Sequence, residues 1–271
     1  MITTQRKLHT VQETYQHLVP RYDQENGVVW CNMQPSVKPC FTPELLEEMR
    51  SLRTSIEDQA RCDQLNANNS GLRYQVLASN IPGTFSLGGD LSLFLEAIRS
   101  GNRDRLFAYA KSCIDMVYSV ATSYSLPLTT ISLVQGEALG GGFEAALASN
   151  ILIAERGSQM GLPEILFNLF PGMGAYTLLS RRLDPARAEK IILSGKIYSA
   201  EELYEMGVVD VLANPGEGEQ AVYAYIRKQN QTYGGYQAVR RIRQRYQPID
   251  YQELLDITEE WVDTALQLKE K

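Results

Sequence analysis

The 271-residue chain carries 26 Lys and Arg against 32 Asp and Glu, a formal charge of −6, with 44% hydrophobic and 21% charged residues. That balance fits a soluble chain able to bury a sizeable core, and it works against non-specific binding to nucleic acid or an anionic membrane. Its only histidines, His9 and His17, lie within the first twenty residues, which excludes a Ser-His-Asp triad from the main body.

Residues 1–24 are polar and weakly patterned, an expected N-terminal arm without an apolar leader, and no run of apolar residues is long enough to span a membrane. A cytoplasmic protein is expected. Cys31, Cys40, Cys62 and Cys113 match neither paired metal ligands nor a redox CxxC, so four buried, reduced thiols and no metal are expected.

Val28 to Met33 predicts a strand. Thr42 and Pro43 then supply a cap and a first helical residue for a helix with Leu45, Leu46, Met49, Leu52 and Ile56 on one side. Leu72 to Ser79 is a second strand, followed by a turn-rich stretch from Asn80 to Asp90. A long helix over 103–124 is ended by Pro127. Thr130 to Val134 is a strand, Gly140 to Gly142 open a helix, and Ile151 to Ala154 is another strand. Helices follow over 173–183 and 185–193. Ser199 with Glu202 forms a capping box, Val208 to Leu212 a last short strand, and the chain reads helical from Glu217 onward. Strands alternating with helix-length crossovers argue for an α/β fold with mostly parallel strands, and no internal sequence repeat is evident.

With histidine absent, a carboxylate in an apolar setting is the informative residue. Glu144, in Gly-Gly-Gly-Phe-Glu-Ala-Ala-Leu-Ala, and Glu164, in Met-Gly-Leu-Pro-Glu-Ile-Leu-Phe, are two such cases. Apolar surroundings raise a carboxyl pKa. For each alone the alternative is a glutamate bonded to free amides at a helix start. Two glycine turns, Phe85 to Asp90 and Gly136 to Glu144, could each present a bare amide to an oxyanion; simple chain reversal is the alternative.

Phe85-Ser86-Leu87-Gly88-Gly89-Asp90-Leu91, Gly136-Glu137-Ala138-Leu139-Gly140-Gly141-Gly142-Phe143-Glu144 and Gly161-Leu162-Pro163-Glu164 through Pro171-Gly172-Met173-Gly174, in that order, resemble the enoyl-CoA hydratase (crotonase) superfamily. The resemblance implies a spiral of β-β-α units over residues 25–212, a helical C-terminal trimerisation region over 213–271, and a homotrimer or hexamer. It also implies catalysis by Glu144 and Glu164 with an oxyanion hole at Gly89 and Gly141, and no cofactor.

Within that superfamily, Gly161 to Tyr176, Trp261 to Leu268 and Pro39 to Pro43 are similar to the diffusible-signal-factor synthases of Gram-negative bacteria. That likeness implies a 3-hydroxyacyl chain on acyl carrier protein, its dehydration to the cis-2-enoyl thioester, and hydrolysis to a free cis-2-unsaturated fatty acid used in quorum sensing. The stretch before Phe85 lacks the Arg-Pro-x-x-x-Asn-Ala-Leu pattern of ordinary hydratases, which turns the expectation toward a carrier-borne substrate. Leu139, Phe143, Leu169, Phe170, Met173 and Trp261 are the candidates for an acyl pocket, with ordinary core packing the alternative for most. Gln220 to Ile249 holds six basic residues and no acidic one, and its Arg240, Arg241, Arg243 and Arg245 are candidates to dock an acidic carrier. An enoyl-CoA hydratase or isomerase of fatty-acid oxidation is the competing function, and a non-catalytic crotonase scaffold binding RNA or protein is a third.

Overall fold

The computed structural model describes residues 15–35, 38–65 and 71–268. The elements are β1 (Leu18–Asp23), β2 (Val28–Met33), α1 (Pro43–Leu65), β3 (Tyr74–Ser79), β4 (Gly83–Ser86), α2 (Leu91–Arg99), α3 (Arg103–Ala121), β5 (Thr129–Val134), β6 (Gly136–Leu139) and α4 (Gly141–Ala148). They continue with β7 (Ile151–Glu155), β8 (Gln159–Gly161), a 3-10 turn (Pro163–Phe167), α5 (Ala175–Arg182), α6 (Pro185–Ser194), β9 (Ile197–Ser199), α7 (Ala200–Glu205), β10 (Val211–Ala213), α8 (Gly218–Asn230), α9 (Tyr233–Tyr246) and α10 (Tyr251–Leu266).

Among the described residues the strands form two sheets, β1-β2-β3-β5-β7-β10 and β4-β6-β8-β9. Only the β1–β2 and β8–β9 pairings are antiparallel. Three successive strand pairs, β3 with β4, β5 with β6 and β7 with β8, each send the first strand to the large sheet and the second to the small one. A helical segment follows each pair. This is an α/β, crotonase-like spiral of β-β-α units, and its repeat lies in geometry without a matching repeat in sequence.

Local chemistry accounts for the helix ends. Thr42 Oγ1 accepts from Leu45 N at 3.2 Å ahead of Pro43, the Ser199–Glu202 capping box forms, and Asp184 caps α6. The apolar stripe of α1 is buried as its spacing predicts, in the main core shared with both sheets. A second core lies where α8, through Val222 and Ile226, covers the other face of the large sheet, and a third where α10 packs on α3.

Several short elements differ from the sequence expectation. Leu18–Asp23, inside the stretch expected as a polar arm, is an edge strand whose Leu18 is buried while Val19 and Arg21 are exposed. The earlier part of that arm, with His9, lies outside the described residues. The turn-rich stretch contains β4, and α2 follows it. The long helix stops at Ala121, because Ser123, Tyr124 and Ser125 all take positive φ, between 55° and 57°. All four cysteines are free as expected, but Cys62 is exposed and Cys113 only half-buried. None of the described helices is long and apolar enough to cross a membrane.

Candidate active site

The three parallel strands β4, β6 and β8 of the small sheet run side by side, with Ser86 opposite Ala138 and Leu139 opposite Gly161. The segment after each strand therefore emerges at the same sheet end, as ligand-binding loops do in open parallel sheets. After β4 comes the Gly88-Gly89 turn, after β6 the Gly140-Gly141 turn with Glu144 one turn into α4, and after β8 the 3-10 turn with Glu164. The spiral thus gathers three motifs that are far apart in sequence.

The two glycine turns touch. A Cβ placed on Gly141 would lie 3.5 Å from Gly89 N, and one on Gly88 only 3.0 Å from Gly141 N. Gly141 is the first residue of α4, where the amide has no intrahelical acceptor. Gly140, at φ 52°, approaches the third motif so closely that a Cβ there would stand 2.6 Å from Glu164 Oε1. Any other residue at 140 displaces that carboxylate.

Glu144 is 1% exposed. Its Oε1 accepts from Met173 N at 2.8 Å and Ala175 N at 3.0 Å, the amides that open α5. Burial pushes its carboxyl well above the ordinary range, the nearby Glu164 charge adds to this, and the two amides oppose it. Burial also raises Glu164, whose Oε2 is enclosed without a hydrogen-bond partner. Two such carboxyls beside each other favour a state that shares one proton, leaving one acid and one base.

Because each folded-state pKa lies above the ordinary carboxyl value of 4.5, the folded chain holds protons that the unfolded chain has already lost. Their stability contribution is full below that value and is lost as pH rises through the raised folded pKa. Glu144→Gln and Glu164→Gln cannot ionise, so each is expected to flatten the decline and melt higher than wild type at about pH 8. Urea midpoints measured across the pH range check it; an unchanged decline in both variants excludes buried ionisation.

A cavity of about 540 Å³ opens beside these groups, and Gly89, Gly141, Glu144 and Glu164 all line it. Of the expected acyl-pocket residues, Leu139, Leu169, Met173 and Trp261 are on its wall. Phe143 and Phe170 are not. Successive helix residues point about 100° apart, so with Glu144 facing the cavity Phe143 turns into the main core, where it is fully buried. Phe170 instead packs against the α3–α10 core.

More of the wall comes from Met49 of α1, Phe94 and Ile98 of α2, and Tyr109, Cys113 and Val120 of α3. Sequence reading missed these as site residues because the same apolar stripe serves core and cavity alike. Leu91, Leu95 and Phe167 line the cavity yet stay exposed, forming an apolar rim.

The arginine run of α9 divides. Arg240 turns inward and donates to Leu128 O at 2.5 Å, to Thr129 Oγ1 at 3.1 Å and to Ser123 Oγ, tying α9 to the left-handed turn after α3. Arg243 donates to Arg181 O at 2.9 Å. Arg241 and Arg245 face solvent. Arg240 is therefore a structural tether rather than a docking residue, since its donors are committed to backbone and hydroxyl oxygens. Among the described residues no group of three His, Cys, Asp or Glu is placed to hold a metal.

The sequence model of the family Enoyl-CoA hydratase/isomerase matches residues 23–232, the span that carries both carboxylates and both glycine turns. The chain belongs to this family. This crotonase-family chain is 27% identical over 197 residues to the probable enoyl-CoA hydratase 2, mitochondrial, of Arabidopsis thaliana, covering 72% of the chain. It spans 60% of that relative's length and about a fifth of the larger fatty-acid oxidation proteins it also matches. Among solved structures it is similar to enoyl-CoA hydratase from Bacillus halodurans, with TM-score 0.74, 21% identity, and coverage of 93% of this chain and 94% of that one. It is also similar to Pseudomonas aeruginosa DspI, with TM-score 0.66, 24% identity, and coverage of 95% and 98%.

Proposed function

We propose that this crotonase-family chain dehydrates a 3-hydroxyacyl chain on acyl carrier protein to the cis-2-enoyl thioester and then hydrolyses the thioester, releasing a cis-2-unsaturated fatty acid that acts as a diffusible quorum-sensing signal. The observation that carries the chemistry is the pair of raised carboxyls, Glu144 and Glu164, on the wall of an apolar cavity beside the Gly89 and Gly141 turns. The ionised member of the pair takes the C2 proton, and the electron pair moves onto the thioester oxygen, held by the Gly89 and Gly141 amides. As the enolate collapses, the C3–O bond breaks and the protonated member supplies the proton that makes the leaving hydroxyl water. For hydrolysis, a carboxylate takes a proton from a water attacking the carbonyl carbon, and the thiol departs.

The resemblance of Gly161 to Tyr176 and Trp261 to Leu268 supports the signal synthase, as does the apolar rim of Leu91, Leu95 and Phe167, which suits an aliphatic chain. The second reading is hydration or isomerisation of enoyl-CoA, favoured by the relative described as an enoyl-CoA hydratase. Purified protein incubated with 3-hydroxyacyl chains on carrier protein or on CoA, followed by mass spectrometry, separates them. Free cis-2-enoic acid from the carrier-borne substrate is the expected product; hydration equilibrium on CoA with no acid released establishes the second reading instead.

Carrier docking belongs to Arg241 and Arg245, the outward pair of α9. Neutralising both to Gln is expected to weaken kcat/KM for a carrier-borne substrate roughly tenfold and reduce its salt dependence, with a short soluble thioester unaffected. Equal losses on both substrates, or none, remove the docking role. On a different side of α9, exposed Val239, Ile242 and Tyr246 share one apolar face, which supports a second copy of the chain covering it in the expected homotrimer.

A further inference from the structure

The Gly89 amide can serve an enolate only if its direction is fixed, and the structure shows how both peptides around Gly89 are held. In a trans peptide the C=O and N–H point opposite ways. Gly88 O accepts from Phe41 N at 2.8 Å, so the Gly89 N–H points away from Phe41. The next peptide is held by a side chain. Tyr109, 5% exposed on α3, accepts from Asp90 N at 3.1 Å and donates to Phe41 O at 2.5 Å. Its hydroxyl thus stands between the segment before α1 and the segment that opens α2, joining the same two chain stretches that the Phe41–Gly89 bridge joins. The ring is packed edge-on against Phe94 at 5.3 Å, and Phe94 in turn lies where a Cβ on Gly89 would sit, 2.4 Å away.

We propose that Tyr109 is a positioning residue for the oxyanion hole: its hydroxyl fixes the Gly89–Asp90 peptide and thereby aims the Gly89 amide at the enolate oxygen. This rests on the reading that Gly89 and Gly141 hold that oxygen. The phenol proton is committed to a backbone carbonyl, so Tyr109 acts through the backbone and transfers no proton to substrate. The role also explains a polar side chain on an otherwise apolar stretch of cavity wall, where Phe would pack equally well.

Tyr109→Phe tests it, because the ring contact with Phe94 survives and only the hydroxyl is lost. A misaimed donor is expected to lower kcat roughly 10- to 100-fold while KM stays within about twofold. The inhibition constant of a 3-oxoacyl thioester, which presents an enolate oxygen when it ionises, is expected to rise by the same factor, and binding of the saturated acyl thioester to stay unchanged. Wild-type kcat in Tyr109→Phe, or a lower melting temperature with kcat and inhibition unmoved, overturns the proposal and leaves Tyr109 as packing. Gly141→Pro run alongside separates the two levels: if it retains full turnover the oxyanion-hole reading fails and the proposal with it, whereas a slowed Gly141→Pro beside a fully active Tyr109→Phe overturns the positioning role alone. Should Tyr109→Phe not fold, native-state hydrogen exchange on the wild-type chain decides, since a phenol-held Asp90 amide exchanges slowly and a rapidly exchanging one is not held.

Discussion

Glu144→Ala and Glu164→Ala are each expected to lower turnover about 10²- to 10⁴-fold, because each removes one proton-transfer group of a pair whose environments make one member acid and the other base. The two variants differ in stability. Glu144 is the acceptor for Met173 N and Ala175 N, so Glu144→Ala leaves two buried donors unpaired, at about 1–3 kcal/mol for each. Relief of the buried charge offsets part of this. Glu164 Oε2 has no partner to abandon, so Glu164→Ala is expected to melt close to wild type. Product formed at near wild-type rate by either variant, measured by mass spectrometry of released acid and residual thioester, defeats the paired-carboxylate mechanism.

Gly141→Pro is expected to cost about 10²- to 10³-fold in kcat, or ~3 kcal/mol, by deleting one of the two amides proposed to hold the developing oxyanion. The first position of a helix is where proline is best tolerated, since its amide has no partner in the helix. The added Cβ meets Gly88 Cα and Gly89 N at an ordinary 3.5 Å. The fold is therefore expected to persist while the chemistry slows. Unchanged turnover would place the oxyanion elsewhere.

The site could be read from sequence where its signal is local. Glycines between a strand and a helix mark Gly136 to Glu144, and an uncharged neighbourhood marks Glu164, because backbone geometry and desolvation act over a few residues. Which way a side chain points is set by packing, and there the sequence is silent. Phe143 and Glu144 are neighbours in sequence and face opposite surroundings. Arg240 lies toward the body of the molecule, Arg243 is exposed but tied to Arg181 O, and Arg241 and Arg245 lie toward water, so a run of like charge on one helix served two purposes. The short strands β8 and β9, of three residues each, carry too few positions for a period-two pattern. Tyr109 carried no local signal at all, since its partners are 19 and 68 residues away.

The cavity has a late-arriving wall. Trp261 of α10 lies against Gly172 so tightly that a Cβ there would stand 2.3 Å from the indole, Thr258 Oγ1 donates to Gly172 O at 3.0 Å, and the indole meets Phe94 edge-on at 5.1 Å. During synthesis, every turn of the spiral leaves the ribosome before this helix does. Until α10 docks, the wall that Trp261 supplies is missing and apolar surface there faces water, an interval in which a nascent chain invites chaperone binding or aggregation. Order of emergence thus leaves the cavity open on one side until α10 has closed over it.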